Sequence, residues 1–245
     1  MKRALLLVLC WLLLSPEVRA QASRSFDGTN DEVEMGDVLD AGAINLSVCI
    51  WIKATEDASV DAFWGKKNAS TAGSIGWMLI QQTDDALDFI TEDNVGTIVT
   101  ADGTTDIDGV WYFACGIRDV ISGDTLLFLN AIQEDATNGL IFTLASASEL
   151  SSGENGGEGE DAAGLTCYAS VLGGTVLTVV DMLEIMWNPE IAAIYVGGAN
   201  IIGFWTFWGD STEIDLSLNA NNGTVSNAST STDGPPVMFG MGLPI

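Results

Sequence analysis

Short apolar segments alternate with polar, turn-forming residues along most of the chain. About ten of these segments have the length and the β-branched or aromatic content of strands, and clusters of Gly, Asp, Asn and Ser separate them. The predicted strands are 32–35, 46–53, 62–66, 76–81, 86–91, 97–101, 110–118, 125–129, 141–144 and 165–172. Strands of this number and spacing predict an all-β fold, a jelly roll or a related sandwich of two antiparallel sheets.

One short helix is predicted in the last third of the chain. Thr178 can cap its first turn, and Asp181 and Glu184 place negative charge in its early turns. Pro189 cannot continue the helix and marks its end.

The length and the first residues indicate one exported domain. A chain of 245 residues with 47% hydrophobic content can bury a full sandwich core. Residues 1–20 have a basic start, an apolar run over 4–14 and a small residue, Ala20, before the expected cleavage, as a signal peptide does. The apolar run is shorter than a membrane span, so a retained anchor is the weaker alternative. We therefore predict a secreted protein whose mature form begins at Gln21.

The charge of the chain is strongly negative. There are 34 acidic and 8 basic residues, which gives a formal net charge of −26 at pH 7. Such a charge repels phosphate backbones and anionic lipid surfaces. We therefore predict no nucleic-acid partner and no membrane insertion after signal cleavage, whereas cations and neutral sugars are compatible with the surface.

The sequence contains no histidine. This excludes Ser-His-Asp and Cys-His catalysis, because each needs an imidazole that titrates near neutrality. It also excludes histidine-ligated zinc and pH sensing by histidine.

Three cysteines remain after the predicted signal peptide, since Cys10 lies within it. In an exported chain they favour one disulfide and one free thiol. Cys49 lies in the predicted strand 46–53 and Cys115 in 110–118, while Cys167 lies in 165–172. These positions leave three pairings open.

Several short motifs occur in an order that is typical of one family. The residues Ser25-Phe26-Asp27-Gly28, followed by Asp31, resemble an SFDG-x-x-D opening turn, and 46–53 resembles the strand TVSAWVK. Residues 108–113, DGVWYF, resemble DGKWHHV, and 177–184 resembles a closing LS-x-x-E helix. Together they resemble the laminin-G-like jelly roll of the concanavalin A-like lectin superfamily. The resemblance implies a recognition module for a glycan or an extracellular protein.

The resemblance also implies a disulfide and a calcium site. In the related pentraxins, cysteines in two such strands are bridged, and the matching pair here is Cys49–Cys115. The acidic loop 152–161 resembles the calcium loop of pentraxins, and carboxylates are ligands that calcium prefers. Its candidate ligands are Glu154, Glu158, Glu160 and Asp161, and the opening turn offers a second pair, Asp27 and Asp31.

The last part of the chain suggests a permuted domain. Residues 203–208, GFWTFW, and 219–224, NANNGT, resemble a segment that normally precedes the opening turn. We therefore predict a jelly roll over 21–200, completed by a strand segment over 201–230 and followed by a Gly/Pro-rich tail over 231–245. The start of a second domain is the alternative.

The functional hypothesis is binding without catalysis. Trp64 and Trp77, both near predicted loops, are the candidates for stacking against a sugar ring. Glu213-Ile214-Asp215 resembles half of the Glu-x-Asp-x-x-Glu signature of laminarinase-type glycoside hydrolases but lacks the second glutamate. Two alternatives stay open: a structural extracellular component without a small ligand, and such a hydrolase.

Overall fold

The computed structural model describes residues 22–55, 59–67, 73–139, 143–154, 160–189, 200–209 and 211–237. These residues form two antiparallel sheets of eight strands each. The fold is therefore the predicted jelly-roll sandwich. Within the described residues, no helix has both the length and the apolar character that crossing a membrane requires.

The first sheet has the longer strands. In spatial order it contains β10 (Ile132–Asn138), β9 (Asp124–Leu129), β8 (Tyr112–Asp119), β3 (Leu46–Ala54), β12 (Ala163–Gly173), β1 (Ser23–Asp27) and β16 (Ser229–Ser231), and β13 (Ile201–Trp205) also pairs with β12.

The second sheet packs against the first. In spatial order it contains β14 (Thr212–Glu213), β15 (Gly223–Ser226), β2 (Glu32–Gly36), β11 (Leu150–Ser152), β4 (Asp61–Lys66), β5 (Gly76–Gln81), β6 (Ala86–Glu92) and β7 (Ile98–Asp106). The segment 201–230 thus supplies β13 to the first sheet and β14 and β15 to the second.

Alternation along β3 places its side chains in two different cores. Leu46, Val48 and the other even-numbered apolar residues lie between the sheets. Cys49 and Trp51 point to the opposite face, into a second cluster beneath the helix α1 (Val179–Trp187). The first sheet is therefore covered on both faces along β3.

The helix α1 begins and ends as predicted. The Thr178 side chain accepts a hydrogen bond from the backbone N–H of Asp181, and the Asp181 side chain accepts one from the backbone of Thr178. This reciprocal capping box satisfies two amide groups that the first turn leaves without partners. Met182, Ile185 and Met186 are buried against the second cluster.

A disulfide joins the centre of β3 to β8. Cys49 and Cys115 are directly opposite in the ladder, and their sulfurs are bonded. The pairing that the resemblance implied is therefore confirmed. Cys167 is a free, buried thiol whose Sγ lies 3.2 Å from the carbonyl oxygen of Thr206.

Short or polar strands were not predicted. The strand β10 carries mostly polar side chains at a sheet edge, so it lacks the hydrophobic alternation that identifies a strand. A tight turn at Asn130 and Ala131, both with positive φ, joins it to β9. The predicted strand 141–144 is not found over 143–144, where the chain forms no strand, and 141–142 lie outside the described residues.

We expect loss of the disulfide to destabilise the fold strongly. The two bridged cysteines are 66 residues apart in the sequence. The double substitution Cys49→Ala/Cys115→Ala, which removes the crosslink, should therefore lower the free energy of unfolding by about 4 kcal/mol. Urea denaturation measures the loss. The control is Cys167→Ala, which deletes a buried sulfur but keeps the crosslink, and equal losses in the two variants would contradict the prediction.

Candidate functional site

The two tryptophans predicted to contact a sugar lie in the core instead. Trp64 and Trp77 are both 0% exposed, and their rings pack edge to face against each other. Trp64 also packs against Trp205 and Phe207. The prediction of a stacking role is therefore wrong, because both residues lie on the inward face of central strands and their distance from a loop does not expose them.

The glutamate of the partial hydrolase motif is also buried. Glu213 pairs with the Arg24 guanidinium on β1, and both side chains are 1% exposed. The backbone N–H of Gly209 donates to the Glu213 carboxylate as well. Asp215 accepts hydrogen bonds from the backbone N–H groups of Phe204, Ser217 and Asn221. Both acids are therefore buried and bind other groups of the chain itself.

The predicted calcium ligands at the opening turn lie close to one end of the acidic loop. The Asp31 carboxylate accepts from the backbone N–H of Asp27 at 2.8 Å, and Asp161 accepts from the N–H of Asn30 at 3.3 Å. Burial raises the pKa of Asp31, and the charges of Asp27 and Asp161 raise it further. Carboxylates from both predicted sets therefore meet at this turn.

The remaining predicted ligands lie around the same loop. The backbone carbonyl of Glu154 accepts from Ser151 Oγ at 2.5 Å, and the backbone carbonyl of Glu160 accepts from the N–H of Ala62 at 2.9 Å. Glu158 lies outside the described residues. In the part of the chain that the structure describes, no three acidic or cysteine side chains are arranged closely enough to hold a metal ion.

A polar groove lies on the outer face of the second sheet, across β6 and β7. Asp88 is directly opposite Asp102, and Ile90 is directly opposite Thr100. The groove has a volume of about 420 Å³. Its lining residues are Gln82, Thr83, Asp84, Asp88, Ile90, Thr100, Asp102 and Gly103. Three carboxylates, two hydroxyls and an amide thus surround one aliphatic side chain.

Asp88 is the buried acid of this groove. Its carboxylate accepts from the backbone N–H of Gly103 at 3.1 Å. Burial raises the pKa of Asp88 to about 6, and the facing charge of Asp102 contributes to the increase. The acid is therefore partly protonated near pH 6, so that it can donate as well as accept a hydrogen bond.

Sequence reasoning missed this groove. Leu87 and Phe89 belong to the core between the sheets, so alternation places Asp88 and Ile90 on the opposite face of β6. The one signal available in the sequence was an acid, Asp88, between two apolar residues of a predicted strand. Its partner Asp102 lies on another strand, and the register that joins them is not visible in the sequence.

A family match agrees with this architecture. Residues 27–171 match the model of the laminin G family described as the concanavalin A-like lectin/glucanases superfamily. The chain belongs to this superfamily. No curated protein matches the chain closely enough to be counted as a relative.

Solved structures share the fold at low sequence identity. A candidate carbohydrate-binding protein from Bacteroides ovatus ATCC 8483 is 12% identical in sequence to this chain, with a TM-score of 0.67. The match covers 91% of this chain and 63% of the Bacteroides protein. A heptameric SAP-like pentraxin from Limulus polyphemus is 17% identical with a TM-score of 0.53, covering 70% and 83% of the two chains. At these identities the likeness establishes the fold alone.

We expect Asp88 to make the stability depend on pH. Its folded pKa of about 6 exceeds the ordinary aspartate value of 3.8, so its contribution to stability is fully present below about pH 4 and is lost as the pH rises through 6. Asp88→Asn should therefore increase the free energy of unfolding at pH 7.5 by about 2 kcal/mol and change it little at pH 4. Urea denaturation of both proteins at both pH values measures the difference. Asp106→Asn, at an exposed acid of β7 outside the groove, is the control. An unchanged pH dependence in Asp88→Asn would refute the expectation.

Proposed function

We propose that this protein is a carbohydrate-binding module that binds a neutral glycan in the groove across β6 and β7. The observation that supports this most directly is that two neighbouring cross-strand pairs of β6 and β7 lie side by side, Asp88 with Asp102 and Ile90 with Thr100. Membership of a lectin and glucanase superfamily supports the same class of ligand.

The lining chemistry suits a neutral sugar. Each sugar hydroxyl donates and accepts, so carboxylate oxygens and threonine hydroxyls can be satisfied together along the groove. Ile90 lines the groove but is only 5% exposed, so it offers a small apolar contact to the C–H groups of a pyranose ring. The volume of about 420 Å³ lies in the usual range of small-molecule sites. A neutral ligand also avoids the repulsion that this acidic chain exerts on anions.

Hydrolysis is a second candidate function, and one observation favours it. Asp88, with a pKa of about 6, faces Asp102 across the ladder. Glycosidases use a pair of carboxyl groups, one of which is a general acid with a raised pKa. We prefer binding, because the Asp88 carboxylate already accepts from the Gly103 backbone and Asp88 is only 7% exposed, which restricts its access to a glycosidic oxygen. Release of reducing ends from β-glucan that is lost in Asp88→Asn would establish the hydrolase instead.

Export is part of the proposal. Residues 1–20 lie outside the described residues, and the supporting observation is the Cys49–Cys115 disulfide, since such bonds persist in oxidising compartments. Amino-terminal sequencing of the exported protein should begin at Gln21. Recovery of the protein only inside cells, with its first residues intact, would exclude export.

The glycan proposal is tested by isothermal titration with neutral oligosaccharides of β-glucan and agarose. Asp102→Asn and Thr100→Ala should each weaken binding of the same oligosaccharide by about tenfold or more, because each removes a hydrogen bond to it. Glu149→Gln changes an exposed acid that immediately precedes β11, outside the groove, and should leave binding unchanged. Undiminished binding in both groove variants would place the glycan elsewhere, and no binding of any neutral oligosaccharide would reject the proposal.

We also propose that a calcium ion stabilises the opening turn. The described acids do not form a metal-binding group by themselves, so Asp27, Asp31 and Asp161 would hold the ion only together with further carboxylates of the acidic loop. The observation that supports a cation there is that the Asp31 and Asp161 carboxylates both accept from amides of the opening turn. An ion that binds only the folded state stabilises it by about 2.7 kcal/mol at a hundredfold excess over Kd.

We expect the melting temperature to be higher in calcium than in chelator at matched ionic strength. Asp31→Asn keeps an acceptor for the Asp27 amide but loses the charge, so most of that difference should disappear. Identical melting temperatures of the unmodified protein in both buffers would eliminate the calcium site.

A further inference from the structure

Lys53 is the one basic residue of the described chain that reaches solvent to any extent. Its side chain is 28% exposed. The other described basic side chains are each 2% exposed or less; they are Arg24, Lys66, Lys67 and Arg118. In a chain with a net charge of −26, Lys53 is therefore the one positively charged side chain that is more than 2% exposed on the described surface.

Lys53 and Trp111 together hold one carboxylate. Lys53 Nζ lies 2.6 Å from one oxygen of Asp233, and the indole N–H of Trp111 donates to the other oxygen at 3.1 Å. The hydrogen bonds from Lys53 and Trp111 lower the pKa of Asp233. Both oxygens of the carboxylate are thus recognised, one by a cation and one by a neutral donor.

The carboxylate comes from the chain's own carboxyl-terminal segment. Asp233 follows β16, and its backbone carbonyl accepts from Ser23 Oγ at 2.6 Å. The Asp233 side chain is 46% exposed. A partly exposed pair of this kind contributes little net stability, so a competing carboxylate can displace it.

A cavity of about 540 Å³ adjoins this pair on the first sheet. Its lining residues are Lys53, Ala54, Thr55, Asp108, Gly109 and Leu165. Trp111 is half-buried and precedes β8, which pairs with the Lys53 strand, β3. A cation, a carboxylate, a hydroxyl and aliphatic side chains therefore line space large enough for a sugar residue, and Trp111 reaches the same Asp233 carboxylate as Lys53.

We propose that Lys53 and Trp111 form a carboxylate-recognition site for the uronic-acid residues of an acidic glycan, and that Asp233 occupies this site as an internal competitor. A uronate carries a carboxylate for the Lys53–Trp111 pair and a pyranose ring for the cavity. The negative net charge does not prevent binding of a uronate, because the site already holds a carboxylate. Salt also screens the repulsion from charges that lie farther away than about 8 Å, the Debye length at physiological ionic strength. An acidic peptide would use the carboxylate contact but not the space suited to a ring.

The test is isothermal titration of the purified chain with oligoglucuronate. An internal competitor reduces the apparent affinity by the fraction of sites left free, so Asp233→Ala should bind about tenfold more tightly than the unmodified protein. Glu149→Ala removes the same charge from the second sheet and should bind like the unmodified protein. In the Asp233→Ala background, Lys53→Gln should abolish the gain and Trp111→Phe should reduce it.

Each other outcome overturns the proposal. No gain in Asp233→Ala would make Asp233 a structural anchor only, and a gain that survives Lys53→Gln would locate the ligand elsewhere. Equal binding of neutral oligoglucose would mean that the site does not recognise the carboxylate of the ligand. Tighter binding of an oligoglutamate peptide would assign the site to acidic peptides. Groove variants at Asp102 do not affect this experiment, so it succeeds or fails independently of the neutral-glycan site.

Discussion

The burial of β3 on both faces is the constraint on which the first sheet depends. Every residue of this strand except Lys53 is buried. One face contributes to the core between the sheets, and the other lies in the cluster that α1 covers. Because β3 pairs with both β8 and β12, this double cover fixes the register of its two neighbours. The disulfide to β8 then joins the two strands covalently within the same ladder.

The parts of the fold that could be predicted are those whose side-chain pattern is local. β5 was predicted with its observed bounds and α1 with its cap at Thr178, because hydrophobic content and capping residues are read within a few positions. The strand β10 was not predicted, and β14 to β16 were predicted only as part of one strand segment over 201–230 without their own bounds, since these strands are short or polar and become strands only by pairing with a neighbour. Their existence is a property of the assembled sheet.

The candidate sites could be predicted less well, for a related reason. Trp64 and Trp77 were assigned by their nearness to loops, whereas the face of the strand decided their burial. Asp88 and Asp102 form a site only through the β6–β7 register, and Lys53 with Asp233 only through contacts 180 residues apart. The acids of the opening turn and the acidic loop could be named only as calcium candidates, because residue type indicates which side chains can bind the ion but not whether the fold brings them together.

The Arg24–Glu213 pair has a consequence for how the chain is made. Arg24 on β1 is 1% exposed, and its partner lies 189 residues later. A buried charge without its partner is strongly destabilising. During synthesis from the amino terminus, β1 therefore cannot settle beside β12 at full stability until residue 213 has left the ribosome. The first strand of the sandwich is thus among the last to reach its stable, fully paired position.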